Sequence, residues 1–244
     1  KAYLIKGEKL RKGEFGVIHG TMSVQKLKEV SHRYEVSINE YLVAAFIYSV
    51  YTECLHQMPS KKPIRVAVPV NLRPFFHSVT TKNFFVMVSA EFLPEKEKYS
   101  FEEVVSAAKQ SLREQITKEH LEELFSYNVS NEKHLIARAV PLTLKNLAMR
   151  YVYTQAALAN TTTVTNIGNI TVAKEYEPYI QMFGAFLAMS KGQSLKGTIC
   201  SYGDQLMFTF SSVLADTSVQ RGFFRRLVED GLEVTVETNG VYYE

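Results

Sequence analysis

The chain has 244 residues, 46% of them hydrophobic and 22% charged, with a net charge of +3. That length suits one large domain or two small ones with a real core. Basic residues are scattered, apart from Lys9–Lys12 and Arg221–Arg226, so composition argues against a nucleic-acid partner.

Lys1–Lys12 is polar and is expected to be a linker or an extended edge. Glu14–Met22 alternates weakly and predicts a strand. Ser23 is placed to cap a helix over Val24–Tyr34, with Leu27 and Val30 on its apolar face. Ser37 and Glu40 have the spacing of a capping box, and the run that follows, Tyr41–Leu55, is apolar almost all round. A helix of that kind is buried on several sides. Ile64–Val70 alternates β-branched residues with Arg65, Ala67 and Pro69, which predicts a strand. Pro69 has no N–H for a ladder, so this strand is expected at an edge or ending there. Asn71-Leu72-Arg73-Pro74 then turns the chain toward a strand over Asn83–Leu93.

Ser100 and Glu103 form a second capping box, opening a helix over Phe101–Ile116. More helix is expected over Lys118–Tyr127 and from Glu132 to Tyr153, with Pro141 a kink or break. The second half is strand-rich: Thr161–Thr171, Ile180–Met189, Leu195–Tyr202 and Gln205–Val213. Tyr202-Gly203-Asp204 is a hairpin signal. Asp216 or Thr217 caps a helix running to about Asp230, and Leu232–Glu237 closes the chain as a strand. The fold class is α/β, an α+β sandwich in which helices pack on one face of a mixed sheet.

Few residues offer themselves for chemistry. There is no Gly-x-Ser-x-Gly elbow and no glycine-rich phosphate loop; Gly168 is a turn glycine. Cys54 and Cys200 sit in apolar surroundings without metal or redox spacing, which makes them structural and points to a reducing cytoplasm. Of the six histidines, none pairs with zinc spacing, so no metal is expected. His32, His56, His120 and His134 are expected on exposed helix faces, and His77 follows Arg73 in its loop. His19 alone is placed, at a strand end, where a base could sit, and it lacks an orienting carboxylate nearby in sequence.

Arg73 follows a buried strand, so it either reaches water or is held by a carboxylate from elsewhere. The hydroxyl run Thr161–Asn166, ending in Asn-x-Gly, has two readings: the β-propensity of Thr, or groups that stabilise an oxyanion. The cluster Arg221, Arg225 and Arg226 reads as a solvated helix face or as a phosphate-contacting patch, with Phe223, Phe224 and Leu227 opposite.

Taken in order, the capped buried helix Ser37–Leu55, IRVAVPVNLRPFF, KNFFVMVSAEFL, TTVTNIG, the hairpin strands and a last helix with FRRLVEDG resemble one family. The chain is similar to the C-terminal half of the chloramphenicol-acetyltransferase-like superfamily of CoA-dependent acyltransferases. Within it, the likeness is to alcohol O-acetyltransferases and to condensation domains of nonribosomal peptide synthetases. The resemblance implies two lobes in a V with a tunnel between them. An acyl thioester enters from one side and an alcohol or amine acceptor from the other, and a His of a His-His-x-x-x-Asp-Gly motif takes the acceptor's proton.

This sequence lacks that motif, which the family places at the end of the N-terminal half. The whole of 1–244 is therefore expected to be a C-terminal subdomain, with 1–12 a linker and the N-terminal subdomain not in the chain. The resemblance places Arg73 where an Arg pairs with the motif's Asp, and Asn83 where an Asn follows the first loop. It places Thr165 and Asn166 beside the tetrahedral intermediate. It implies acetyl-CoA or another acyl-CoA as cosubstrate, no permanently bound cofactor, and an alcohol acceptor. The implied partner is the missing lobe. Self-association through the face that lobe would cover is expected, with neither nucleic acid nor a membrane span involved. A non-catalytic module of the same fold, a condensation-domain fragment fed by carrier-protein thioesters, and a separate chemistry at His19 are the competing expectations.

Overall fold

The computed structural model describes residues 1–133 and 141–242. Four strands and six helices of the described residues make up the first part of the frame. They are β1 (Gly16–Ser23), α1 (Val24–Arg33), α2 (Ile38–Glu53), β2 (Ile64–Asn71), a one-turn α3 (Arg73–Phe76), β3 (Phe85–Phe92) and, after α4 (Phe101–Gln115), α5 (Lys118–Lys133) and α6 (Leu142–Ala157), β4 (Thr162–Asn169). The hairpin β5 (Leu195–Tyr202) and β6 (Gln205–Ser212), α7 (Ser218–Glu229) and the edge strand β7 (Thr235–Thr238) complete it. The strands form one seven-stranded sheet in the order β3-β2-β4-β5-β6-β1-β7. β4 lies parallel to both β2 and β5, and the remaining neighbours are antiparallel. The helices α2, α4 and α7 share one face.

Local chemistry explains the helix starts. Ser23 Oγ accepts from the Lys26 amide at 3.2 Å. Both capping boxes close: Ser37 with Glu40 and Ser100 with Glu103 exchange side-chain and backbone hydrogen bonds. Each box satisfies two amides that a helix start otherwise leaves bare. At α7 the cap differs, because Thr217 makes no side-chain bond and Asp216 instead accepts from the Ser218 amide at 2.9 Å.

α2 is buried from Glu40 to Ile47 because it runs between the sheet and the neighbouring helices. Phe46 is the centre of an aromatic cluster, with ring centroids 5.1 Å from Phe210, 6.3 Å from Phe223 and 6.4 Å from Phe208. At Gly20 a Cβ would lie 2.1 Å from the Phe224 ring, so α7 rests directly on the backbone of β1. Residues 1–12 run against the body of the fold: Ala2 donates to the Leu158 carbonyl, Tyr3 to Pro63 and Leu10 to Val213, and Ile5 is buried.

Four expectations need correction. Ile180–Met189 is not a strand; it crosses the helix-free face, where side chains satisfy its backbone. Cys200 Sγ donates to the Phe183 carbonyl (3.1 Å), Ser211 Oγ accepts from the Leu187 amide (3.2 Å) and Lys196 Nζ donates to the Ala188 carbonyl (2.9 Å). β2 is interior despite Pro69. Its pairing with β4 covers only Val66 and Ala67, so the strands have parted before the proline and no ladder bond is lost. Asn71–Pro74 leads into a helical turn rather than a simple turn. Cys54 caps α2 instead of lying inside it, and His56 sits in the following turn with φ 50°. Pro141 directly precedes α6, and His134 lies outside the described residues.

Candidate active site

Where β2 and β4 diverge, the helix-free face opens into a depression of about 430 Å³ lined by Pro69, Asn71, Arg73, Phe85, Met87, Thr163, Thr165 and Asn166. It lies at the carboxyl ends of two parallel strands, a recurrent place for ligands in sheets of this kind. Three of the four sequence-predicted site residues, Arg73, Thr165 and Asn166, meet here from positions more than ninety residues apart. Asn83 does not join them; it is exposed in the connection before β3.

The hydroxyl run divides by role. Thr161 Oγ1 accepts from the Arg65 amide (3.0 Å), Thr162 Oγ1 donates to the Leu195 carbonyl (2.6 Å), and Thr163 Oγ1 donates to Gln193 Oε1 (3.0 Å). These three tie β4 to its neighbours. Thr165 is half-buried and has no hydrogen-bond partner among the described residues. Its hydroxyl is therefore available to a ligand in the depression.

Asn166 is held for donation. Its Oδ1 accepts from the Gly168 amide at 2.8 Å, while Nδ2 makes one long contact of 3.4 Å with Asn39 Oδ1. The accepted bond sets which end of the amide is the oxygen, and Nδ2 keeps one N–H beyond the one it gives to Asn39. A register shift between Asn166 and Asn169 and a φ of +84° at Gly168 produce that local turn. No atom lies within 4 Å of a Cβ built at Gly168, so the glycine is there for its backbone angle. A bulge of this type re-aims a neighbouring side chain.

Arg73 walls the depression without facing a carboxylate. Its Nε donates to the Thr80 carbonyl (2.9 Å), Nη2 to the Lys82 carbonyl (2.6 Å) and Nη1 to Asn71 Oδ1 (3.1 Å). No carboxylate meets it among the described residues, and the half-exposed guanidinium keeps access to water. The guanidinium is filled by neutral oxygens of its own loop, which it closes on itself.

Together these groups can bind an oxygen and stabilise negative charge on it through the Thr165 hydroxyl and the Asn166 amide. Phe85 and Met87, nearly half exposed, provide an apolar wall. None of the eight lining residues is a base at neutral pH. His19 lies elsewhere on the same face, in the middle of β1 rather than at its end. Its Nδ1 is 2.8 Å from Thr209 Oγ1, and Glu237 is its cross-strand neighbour on β7, a carboxylate that sequence distance concealed. Burial lowers the His19 pKa, with Glu237 opposing that shift. The segment crossing this face approaches it at Gly184, and His19 does not line the depression.

Arg226 departs from its helix neighbours. Its side chain is one-fifth exposed and pairs with Glu229 at 3.0 Å and with Asp230. Arg221 and Arg225 are exposed, as a solvated face requires.

No protein-family model and no curated protein sequence matches the chain. Solved structures do. A nonribosomal peptide synthetase, FmoA3, in an alpha-methyl-L-serine-AMP-bound form aligns with TM-score 0.59 and 15% identity, over 94% of this chain and 24% of that one. The epimerization domain from the third module of tyrocidine synthetase B aligns with TM-score 0.53 and 12% identity, over 93% and 50%. The trichothecene 15-O-acetyltransferase from Fusarium sporotrichioides gives TM-score 0.53 and 12% identity, over 93% and 48%. The architecture is thus the fold of the acyltransferase and condensation-type proteins. The chain spans about half the length of the latter two and about a quarter of the first.

Proposed function

We propose that this chain is the C-terminal lobe of an acyltransferase that moves an acyl group, acetyl in the simplest case, from a CoA thioester to an alcohol. The observation that carries the proposal is a depression lined by two hydrogen-bond donors, the Thr165 hydroxyl and the Asn166 amide, with no base among its lining residues. Such a site is suited to hold the oxyanion of a tetrahedral intermediate, and it needs a proton acceptor from outside the residues that form it. A histidine on a second, N-terminal lobe would supply it, in the manner the sequence resemblance implies.

The surface supports a second lobe. Phe85, Met87 and Ile167 are about half exposed beside the depression. Tyr176, Tyr179 and Phe186 are more exposed still, along the segment that crosses the helix-free face. α6 presents Leu142, Leu144, Leu147 and Met149 to solvent. Apolar surface on this scale marks an interaction face. Left uncovered, it would drive self-association, which analytical ultracentrifugation of the 244-residue chain reads directly.

Thiol release from acetyl-CoA, measured with a panel of alcohols, tests the reaction. Release is expected from this chain joined to an upstream lobe carrying the His-His-x-x-x-Asp-Gly motif, and little or none from the chain alone. Failure of the joined protein with every thioester donor would end the enzyme reading. The likeness to a peptide synthetase favours one variant of the same reaction, in which a carrier-protein thioester replaces CoA as donor. The donor panel separates the two.

A further inference from the structure

The exposed arginines of α7 belong to a feature that the acyl-transfer site does not use. On the helix-bearing side of the sheet, a groove of about 510 Å³ runs between α7 and the edge strand β7. Its volume falls within the range of small-molecule sites. Ile18, Phe224, Val234 and Val236 contribute apolar surface to it. The floor is fixed by the close approach of Phe224 to Gly20.

Arg221 and Arg225 stand on the rim, one helical turn apart, so their Cβ atoms are about 5–6 Å from each other. Neither forms an ion pair among the described residues, whereas the adjacent Arg226 is held by two carboxylates. No acidic residue lines the groove. Gln220 also lines it, is 2% exposed, and has a buried Nε2 with no hydrogen-bond partner among the described residues. An unmade buried donor is costly unless something accepts from it. Two free cations, an unsatisfied donor and an apolar trough call for one kind of occupant.

We propose that the α7–β7 groove binds an amphipathic carboxylate, with its hydrocarbon chain over Phe224, Val234 and Val236 and its head between Arg221, Arg225 and the Gln220 amide. Guanidinium groups match a carboxylate through paired N–H donors. The hydrocarbon removes Val236 and its neighbours from water. This site is separate from the acyl-transfer depression, and neither depends on the other.

Isothermal titration of the intact protein tests it, with octanoate, octyl phosphate and octanol as probes. Octanoate is expected to bind saturably at one site. Octanol, lacking the charge, is expected to bind at least tenfold more weakly, and Arg221→Gln/Arg225→Gln should weaken octanoate at least tenfold. Val236→Trp, at a half-exposed edge position, should fill the trough and abolish binding while circular dichroism stays unchanged. Absence of saturable octanoate binding, or equal affinity in the double glutamine variant, overturns the proposal. Tighter binding of octyl phosphate than octanoate overturns the carboxylate assignment. The readout contains no thiol release, so failure here and failure of the acyltransferase reading are distinguishable.

Discussion

Replacing Arg73 with alanine tests the wall of the candidate active site. The guanidinium makes three hydrogen bonds, to the Thr80 and Lys82 carbonyls and to Asn71 Oδ1, and all three fasten residues 71–82. Hydrogen bonds from a charged donor contribute about 1.5–3 kcal/mol each when buried. Arg73 is only half-buried and its acceptors are near solvent, so water recovers much of that. A net of about 2 kcal/mol for the three together is the reasonable expectation, or roughly a 30-fold shift in the local opening equilibrium. Hydrogen exchange should show it as faster exchange of the amides at Ser78, Thr80 and Lys82, with strands β5 and β6 unchanged. Arg73→Lys should recover little, because one ammonium cannot span three acceptors set for a planar fork. If Arg73→Ala leaves exchange in this loop as slow as before, the guanidinium does not hold the loop and the reasoning fails.

Asp230 accepts from Tyr34 (2.8 Å) and Tyr41 (2.6 Å) and pairs with Arg226. Asp230→Ala should cost about 3 kcal/mol, since Glu229 still holds part of the Arg226 charge, and lower the melting temperature by roughly 6–12 °C in calorimetry. Glu40 is pushed up by burial, but Arg113 and the Ser37 cap outweigh that and hold its pKa below the ordinary 4.5. Its contribution is therefore present above pH 4.5 and lost as pH falls through its folded-state pKa. Glu40→Gln should flatten the acid limb of denaturant midpoint against pH. In this chain joined to the proposed N-terminal lobe, Asn166→Ala should lower kcat for thiol release by about 10²–10³-fold with the melting temperature nearly unchanged, as expected for an oxyanion donor; unchanged kcat removes Asn166 from the site.

The boundaries of sequence inference are visible in particular residues. Helix starts were legible because capping is local: Ser37 with Glu40 and Ser100 with Glu103 carry their chemistry within four positions. The strands Leu195–Tyr202 and Gln205–Ser212 were legible because a two-residue turn joins them and Gly203 supplies its positive φ. Ile180–Met189 reads as a strand because its apolar composition suits one, while its hydrogen-bond partners are side chains of β5 and β6 that no local pattern announces. Pro69 misled for a similar reason. A proline shows that one ladder bond is missing, and only the divergence of β2 from β4 shows where.

The amino-acid order by itself determines the capped helices and the buried all-round character of α2, since each depends on neighbours a few residues away, whereas Thr165 and Asn166 are singled out only by the family resemblance. Tertiary structure alone decided that Arg73 is answered by carbonyls of its own loop. It also decided that Asn166 presents its NH₂, and that Arg221 and Arg225 border a groove while Arg226 turns to Asp230. These are choices among partners distant in the chain, and packing geometry selects between them where sequence spacing cannot.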